Sequence, residues 1–196
     1  MQHLRFIAPH QLDHSWVTIG SFDGVHLGHQ ALLNRLSHEA HASDAKAVVI
    51  TFYPHPVVVL RGIQSPIYLS DPDERARLIS QQGIDVVITL EFTRELAGLT
   101  AIQFMSMLKE SIDIERLWAG YDFALGRGRE GTIERLKEIG LELDYSVQVV
   151  DPVKINGEVI SSSLIRSLVM DGFVAKAAER LGRWYSIEGT VVHGDS

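Results

Sequence analysis

The feature that most constrains the fold is a regular alternation of short apolar runs with segments of helical periodicity. Five runs have the length of strands, and they lie at 15–20, 46–52, 85–90, 115–122 and 145–153. The second of them, KAVVITF, is dense in β-branched residues, as a buried parallel strand should be. Parallel strands joined by crossover helices produce this alternation. It therefore predicts a doubly wound α/β fold, with a five-stranded parallel Rossmann-like sheet and helices on both faces.

Helical periodicity fills the gaps between these runs and follows the last of them. The predicted helices are 29–41, 71–83, 100–110, 130–140, 161–172 and 173–182. Asp71 and Gly83 have the residue types of an N-cap and a C-terminal glycine for the second helix. The final segment, 183–196, returns to strand-like alternation. Periodicity leaves two interpretations open for it: a closing edge strand of the main sheet, or the first strand of a second domain.

The composition excludes several classes of function. With 45% hydrophobic and 22% charged residues, the 196-residue chain has the composition of a soluble globular protein. Its net charge of -7 argues against a nucleic-acid partner, because nucleic-acid binding needs clustered Lys and Arg. The lack of cysteine excludes disulfides and thiolate chemistry. No stretch has the apolar length of a signal peptide or a membrane span, so we expect a cytoplasmic protein without a membrane partner.

The stretch VTIGSFDGVHLGHQ, at 17–30, joins the first strand to the first helix. In a parallel sheet this turn is a favoured ligand site, and the following helix directs the positive end of its dipole at it. Gly20, Gly24 and Gly28 would let backbone N–H groups approach a ligand closely. His26 and His29 would add ring N–H donors without needing a charge. The turn therefore predicts an anion site, with phosphate as the natural occupant.

Two other interpretations of the turn stay open on these residues alone. Asp23, His26 and His29 could hold a metal ion, although the sequence offers no obvious fourth ligand nearby. Alternatively, the glycines and histidines simply form a turn, with His29 as a residue of the helix N-terminus.

Two further motifs follow the second and fourth strands, so we expect them at the same edge of the sheet as the histidine turn. TFYPHP, at 51–56, has two prolines that predict a rigid extended loop, suited to form a wall against a flat aromatic ligand. AGYDFALGRGREGT, at 119–132, combines Gly126, Gly128 and Gly131 with Arg127 and Arg129 and suggests a mobile basic loop. An ordinary proline-rich turn and a solvated hairpin-like connection are the respective alternatives.

The fourth motif, ISSSLIR at 160–166, lies at the start of a predicted helix. Serines at such a position are most often caps. Arg166 is close to the same helix start, where a bound anion would also feel the helix dipole. Leu164, Ile165, Leu168 and Val169 form the expected buried face and would leave Arg166 free. The segment can therefore serve as a second phosphate-binding element that faces the first.

The motif Gly20, Phe22, Asp23, His26, Gly28, His29 resembles the G-x-F-D-x-x-H-x-G-H signature of the HxGH nucleotidyltransferases. All four motifs together, in this order, resemble the FMN adenylyltransferase module of bacterial bifunctional riboflavin kinase/FMN adenylyltransferases, over nearly the entire chain. The resemblance implies transfer of the adenylyl group of ATP to FMN, giving FAD and pyrophosphate. It also implies a nucleotidyltransferase domain at 1–182 and the start of a riboflavin kinase domain at 183–196, without kinase activity from this chain.

The resemblance also implies roles for individual residues. Catalysis would rest on His26, His29 and Arg166. The ATP-binding set would be Gly20, Phe22, Asp23, His26, Gly28, His29, Asp122, Ser162, Ser163 and Arg166. The flavin-binding set would be Phe52, Pro54, His55, Pro56 and Phe123. Mg²⁺ would be held through the ATP phosphates, with no direct protein ligand.

Two departures from the family pattern and two rival functions accompany this interpretation. Leu125 stands where the family usually has an aromatic ring, and Ser163 stands where it usually has threonine, which keeps the hydroxyl. A sibling nucleotidyltransferase would use another phosphorylated acceptor, but it has no reason to carry TFYPHP and GYDFALG. A non-catalytic nucleotide- or flavin-binding module would keep the fold without the chemistry. A second role stays open for Asp23, because an aspartate that caps local N–H groups of the turn explains it equally well.

Overall fold

A computed structural model of the chain describes residues 1–64 and 68–189. Six parallel strands form one sheet in the order β1-β4-β3-β2-β5-β6. The strands are β1 (Gln2–Leu4), β2 (Ser15–Ile19), β3 (Lys46–Tyr53), β4 (Val86–Glu91), β5 (Ile114–Gly120) and β6 (Ser146–Val150). The predicted doubly wound α/β class is thereby confirmed.

Helices connect the strands, and a short antiparallel pair precedes the last two helices. The helices are α1 (Leu27–Ala42), α2 (Pro56–Arg61), α3 (Pro72–Ser80), α4 (Arg94–Gly98), α5 (Ala101–Ile112), α6 (Ile133–Leu143), α7 (Ser162–Met170) and α8 (Val174–Leu181). The pair consists of β7 (Lys154–Ile155) and β8 (Glu158–Val159). Asp71 is the N-cap of α3, as predicted, and accepts hydrogen bonds from the N–H groups of Asp73 and Glu74.

The prediction of five strands was wrong, because the sheet has a sixth, β1, at its edge. This strand is only three residues long and reads QHL, which is too short and too polar to show a period of two. The strand forms by pairing with β4, and its central residue, His3, is the register partner of Val87. The antiparallel pair also escaped prediction. Its turn, Asn156-Gly157, has positive φ at both residues, and this dipeptide is a recognisable hairpin signal.

The period-two alternation of the central strands divides the core between the two faces of the sheet. On one face, Val17 and Ile50 pack with α5 and α6. On the other face, Trp16, Val49 and Trp118 pack with α1 and α3. A third apolar cluster lies under α7 and α8, and it comprises Leu69, Ile160, Ile165, Ala177 and Leu181. This third cluster places the start of α7 close to the first turn, because Leu69 also contacts that turn.

The order of the strands creates a switch point beside β2. From β2 the chain continues to β3 and β4 on one side, and then crosses to β5 and β6 on the other. Thr18 of β2 is the register partner of Trp118 of β5, so the carboxyl ends of these two strands are neighbours. Open α/β sheets bind ligands in the crevice at such a point. The turn after β2 therefore lies where a ligand is expected.

Two observations concern the limits of the described chain. No helix in the ranges 1–64 and 68–189 is long and apolar enough to cross a membrane. Residues 183–189 follow α8 without a strand, and residues 190–196, the rest of the predicted C-terminal strand, lie outside the described residues. The division into domains at 182 and 183 stays a prediction.

Candidate active site

Four segments gather at the carboxyl edge of the sheet. The turn after β2 lies between the loop after β3 and the loop after β5, because β2 pairs with both strands. The fourth segment is the start of α7, and the Ser162 hydroxyl donates to the backbone carbonyl of Asp23 at 2.8 Å. The structure therefore brings all four sequence motifs to one place.

The turn after β2 is tightly reversed. Phe22, Gly24 and Val25 have positive φ angles of 46°, 76° and 40°, a region that residues with side chains rarely adopt. Residues distant in the sequence stabilise the turn. The Gly24 N–H donates to the Ser70 hydroxyl at 3.0 Å, and the Arg183 guanidinium donates to the Gly24 carbonyl at 2.8 Å. Contacts from distant segments thus hold a backbone conformation that residues with side chains rarely adopt.

We expect Gly24→Ala to destabilise the protein by about 1–3 kcal/mol or more. A Cβ atom at this position would lie 2.8 Å from Cδ1 of Leu69, and it would also have to adopt the positive φ. Chemical denaturation of the variant measures the effect. Gly62→Ala is the matched control for the φ term alone, because Gly62 has a φ of 65° and open space around its Cβ position. Equal losses in the two variants would contradict the packing part of this explanation.

The two histidines of the turn are stacked at the start of α1. His26 is the N-cap, and its Nδ1 accepts the backbone N–H of His29 at 3.3 Å. The two ring centroids are 3.6 Å apart, with 17° between the ring planes. Because Nδ1 of His26 is an acceptor, the proton of the neutral ring must lie on Nε2. The Gly28 position allows this arrangement, since a Cβ there would lie 3.1 Å from the His26 ring.

Burial keeps both rings neutral near pH 7. It lowers the pKa of His26 to about 4. Burial also lowers the pKa of His29 to well below its usual value, and the His26 ring and the Arg75 guanidinium lower it further. A neutral imidazole has one N–H donor and one acceptor. Each ring can therefore donate one hydrogen bond to an anion without carrying a charge in the free protein.

These depressed pKa values predict that stability falls in mild acid. Below pH 6.5 the unfolded chain binds protons at both histidines, whereas folded His26 stays neutral down to about pH 4. The free energy of unfolding should be unaffected by the pair above pH 6.5 and should fall between pH 6.5 and 4, by about 1.4 kcal/mol per pH unit for each proton. Denaturation at several pH values measures the slope.

The variant His26→Asn should make this slope shallower, because asparagine keeps an N-cap acceptor but does not titrate. His14→Asn is the control of opposite sign. The carboxylate of Glu115 raises the pKa of His14, so His14 favours the folded state as the pH falls. Its removal should steepen the slope. An unchanged slope in His26→Asn would contradict the assignment of the acid sensitivity to the stacked pair.

Asp23 connects the turn to three other segments. Its side chain is fully buried. Its carboxylate accepts the backbone N–H groups of Leu69 and Ser70, at 3.0 and 3.1 Å, and the guanidinium of Arg166 at 2.7 Å. A second guanidinium, that of Arg75, lies 3.6 Å away. The alternative in which Asp23 caps local N–H groups does not apply, because the capped groups belong to a segment 46 and 47 residues further along the chain.

The expectation that Arg166 is free was wrong. Ile165 is fully buried in α7, as expected, but the Arg166 side chain folds back onto the turn. Besides Asp23, its guanidinium contacts the Ser163 hydroxyl at 3.3 Å. Its side chain remains about a quarter exposed, with a relative accessibility of 24%. Two of the five guanidinium N–H donors are thus used by described residues, and the group is held at the edge of the turn.

Arg75 is a site residue that sequence reasoning missed. It lies on the buried face of α3 beside Ala76 and Ile79, and its side chain is fully buried. Arginine is rarely buried without a partner, so an arginine on the apolar face of a helix was the available signal. Burial lowers the pKa of Arg75, and the nearby Asp23 carboxylate opposes that shift.

The loop after β3 differs in part from the prediction. Pro56 does not continue an extended loop, but begins α2 as its first residue. His55 is the N-cap of that helix, and its backbone N–H donates to the Tyr68 hydroxyl at 3.2 Å. Proline is common at this first helical position, because its missing N–H would have no intrahelical partner. The Phe52 ring packs edge-on against Phe92, with the ring centroids 5.5 Å apart.

The loop after β5 is anchored, contrary to the expected mobile basic loop. Leu125 and Gly131 form an antiparallel bridge, which agrees with the hairpin-like alternative. The Arg127 N–H donates to the Leu99 carbonyl at 2.8 Å. Phe123 is half-buried and packs against the core, while Asp122 is exposed. Both residues lie directly after β5, next to the turn after β2.

A metal site at the turn finds no support in the geometry. In the two described ranges, no group of three or more His, Cys, Asp or Glu side chains is placed to hold a metal ion. The carboxylate of Asp23 is already occupied by N–H donors and two guanidinium groups. Two helix starts, two neutral imidazoles and one guanidinium instead form an environment that suits a phosphate chain.

Comparison with known proteins adds independent findings. Residues 8–164 match the family model of FAD synthetase. The chain is 36% identical over 180 residues to the bifunctional riboflavin kinase/FMN adenylyltransferase of Escherichia coli strain K12, covering 91% of this chain and 58% of that protein. It is 31% identical over 201 residues to the protein of the same name from Bacillus subtilis strain 168, covering 100% of this chain and 63% of that protein. The chain thus spans less than two thirds of the length of these relatives.

Two solved structures share the fold. A protein from Streptococcus pneumoniae, described as a macrolide-efflux protein, has a TM-score of 0.86 at 30% identity, over 100% of this chain and 66% of that one. The pantoate-beta-alanine ligase of Francisella tularensis, solved in complex with beta-gamma ATP and beta-alanine, has a TM-score of 0.57 at 14% identity, over 93% of this chain and 80% of that one. The second likeness shows the fold alone.

Proposed function

Because this chain belongs to the FAD synthetase family, we propose that it transfers the adenylyl group of ATP to the phosphate of FMN, forming FAD and pyrophosphate. The observation that carries the proposal is the junction at Asp23, where the start of α7 meets the turn that begins α1. Through Ser162 and Arg166, this junction holds two anion-binding elements against each other. A triphosphate has several phosphate groups that could contact both elements, whereas either element alone would suit any small anion.

The triphosphate side of the proposed site is formed by the turn after β2 and the start of α7. Gly20, Phe22 and Gly28 shape the turn, and His26 and His29 present ring N–H donors. From α7, Ser162, Ser163 and Arg166 complete the cradle. Asp122, exposed at the end of β5, is positioned to contact the nucleoside part of ATP. Asp23 belongs to this side as a buried support for Arg166 rather than as a direct phosphate contact, since a carboxylate would repel the phosphates.

The acceptor side of the proposed site is the loop after β3, with Phe52, Pro54, His55 and Pro56, and Phe123 beside it. The rings of Tyr53 and Tyr68 lie 5.7 Å apart in the same region. Aromatic rings and prolines offer flat apolar surface, which suits the isoalloxazine ring of FMN. Burial lowers the pKa of His55, and the charge of the Arg166 guanidinium lowers it further. Arg166 of the triphosphate side is therefore close enough to influence a residue of the acceptor side.

The reaction needs alignment more than acid-base catalysis. A phosphate oxygen of FMN attacks the α-phosphorus of ATP in line. The bond between that phosphorus and the oxygen that bridges it to the β-phosphorus breaks, and pyrophosphate leaves with the bonding electron pair. The second pKa of a phosphate monoester is about 6, so FMN is largely dianionic at neutral pH and needs no general base. His26, His29 and Arg166 donate hydrogen bonds to the charge that grows on the leaving group.

Mg²⁺ is proposed as a companion of ATP. It would be held mainly by phosphate oxygens, the hard ligands that this ion prefers. When bound, it would supply positive charge to the phosphate chain. The protein groups around the turn would then orient the phosphates.

The proposal is tested by mixing the protein with ATP, Mg²⁺ and FMN and by quantifying FAD and pyrophosphate. We expect one pyrophosphate for each FAD. Parallel reactions replace FMN with pantetheine phosphate or a polyol phosphate. Turnover of one of these without FAD formation would identify a sibling nucleotidyltransferase. Binding of ATP and FMN without any turnover would identify a non-catalytic module.

A further inference from the structure

The guanidinium of Arg75 contacts both sides of the proposed site from below. Its Nη1 donates to the backbone carbonyl of Phe52 at 3.1 Å. Its Nη2 donates to the carbonyl of Ser70 at 3.1 Å and lies 3.6 Å from the carboxylate of Asp23. Phe52 lies at the carboxyl end of β3, directly before the acceptor loop, whereas Asp23 lies in the turn that begins α1. One rigid, planar group thus spans the two loops.

Thr51 gives a second connection between the same loops. Its hydroxyl donates to the backbone carbonyl of Ser21, in the turn after β2, at 3.0 Å. The same hydroxyl oxygen lies 3.4 Å from Nη1 of Arg75. Thr51 is fully buried in β3. Arg75 and Thr51 therefore form one hydrogen-bonded unit that fixes the end of β3 relative to the end of β2.

A contribution to the stability of the fold does not by itself explain why the guanidinium of Arg75 is buried. Arg75 shares its carboxylate with Arg166, and its Nε has no hydrogen-bond partner in the described parts of the chain. Removing a guanidinium from water costs free energy that such a pair recovers only in part. A rigid fork with donors in fixed directions, however, sets the positions of the acceptors around it. The clearest consequence of Arg75 is therefore geometric.

The charge of Arg75 also reaches both sides of the site. It contributes to the lowered pKa of His29 on the triphosphate side and of His55 on the acceptor side. In each case burial is the larger cause. Arg75 is thus close enough to influence both rings, although neither ring is its hydrogen-bond partner.

We propose that Arg75 is a positioning residue for adenylyl transfer, which sets the distance and angle between the acceptor loop and the triphosphate cradle. This inference rests on the proposed function. In-line attack depends on the alignment of the two reacting groups, and a displacement of about 1 Å can cost on the order of 100-fold in rate. Arg75 touches neither substrate, so it acts through Asp23 and the Phe52 carbonyl.

The test compares Arg75→Lys with wild type in steady-state FAD formation. Lysine keeps the charge but cannot reach Phe52, Ser70 and Asp23 at once. We expect kcat to fall by on the order of 10-fold to 100-fold, with KM for ATP and for FMN changed by less than about 3-fold. Arg77→Lys is the matched control, because Arg77 lies on the same helix but is exposed. It should leave kcat unchanged.

A second variant keeps the test decisive if Arg75→Lys does not fold. Thr51→Val removes only the hydroxyl, and we expect kcat to fall by about 3-fold to 10-fold, the value of one hydrogen bond. Thr18→Val is its control, because the buried Thr18 hydroxyl in β2 has no partner in the described ranges. Unchanged kcat in Thr51→Val, or in a folded Arg75→Lys, would overturn the inference. So would an effect confined to the KM of one substrate.

A measurement that does not need activity separates this inference from the proposed function. In Arg75→Gln, NMR titration should show higher pKa values for both His29 and His55, because a cation near both rings is lost. A role in packing alone would not raise both. If the wild-type protein forms no FAD, the proposed function fails. If His29 and His55 have the same pKa values in Arg75→Gln as in wild type, the inference that Arg75 lies between the two sides and influences both is overturned as well.

Discussion

Replacing Arg166 with alanine should lower the rate of FAD formation by on the order of 100-fold to 1000-fold, the usual cost of losing one preorganised donor for developing charge. The guanidinium is held by Asp23 and Ser163 while about a quarter of the side chain remains exposed at the turn. This arrangement fixes its direction before a ligand binds. Initial rates with saturating ATP and FMN measure the effect.

The same variant should remain folded, which makes the activity measurement interpretable. Without Arg166, the Asp23 carboxylate still accepts the N–H groups of Leu69 and Ser70 and still faces Arg75. Arg135→Ala is the control, because Arg135 is an exposed arginine in α6 with its own partner, Glu138. A folded Arg166→Ala variant with full activity would refute the role of the α7 start in binding the triphosphate.

Replacing Asp23 with asparagine should lower the free energy of unfolding by about 3–5 kcal/mol, the typical cost of removing one partner from a buried ion pair. The change leaves the fully buried guanidinium of Arg75 without a counter-charge. It also replaces one carboxylate oxygen with an NH₂ group, which cannot accept a hydrogen bond. If Oδ1 keeps the N–H groups of Leu69 and Ser70, the NH₂ group faces the guanidinium of Arg166, and donor meets donor. Chemical denaturation, followed by circular dichroism, measures the loss.

Asp71→Asn is a matched control for this second prediction. Asp71 is exposed, and its carboxylate accepts two N–H groups at the start of α3. Asparagine and aspartate are about equally good N-caps, so this substitution should change the stability by only a few tenths of a kcal/mol. If Asp23→Asn were as mild as Asp71→Asn, the buried network would not be the main support of the turn.

Much of the fold could be predicted, because its information is local. The short apolar runs at β2, β3 and β4 and the capping signal of Asp71 depend on residues a few positions apart. The confirmed sheet and helices follow from these patterns. The three-residue strand β1 carries no such pattern and exists only through its pairing with β4. Its detection therefore required the tertiary structure.

The candidate site, like the fold, could be predicted from the sequence only where its features depend on local patterns. The motif at 20–29 could be identified from its glycines and histidines, and the stacked rings of His26 and His29 do lie at the start of α1. The acceptor loop could be placed beside them, because parallel strands end at one edge. Pro56 was misassigned to an extended loop, since proline is equally compatible with the first turn of a helix.

The sequence by itself determined the fold class, the edge of the sheet at which a ligand is expected and the residue types available there. Only the tertiary structure decided how those residues are paired. Asp23 and Arg166 are 143 positions apart, and Asp23 and the Leu69 amide are 46 apart. No local pattern encodes such contacts, because they arise when separate elements pack over a common core. Burial then makes these pairings necessary, since the carboxylate of Asp23 and the guanidinium of Arg75 are removed from water and need partners inside the protein.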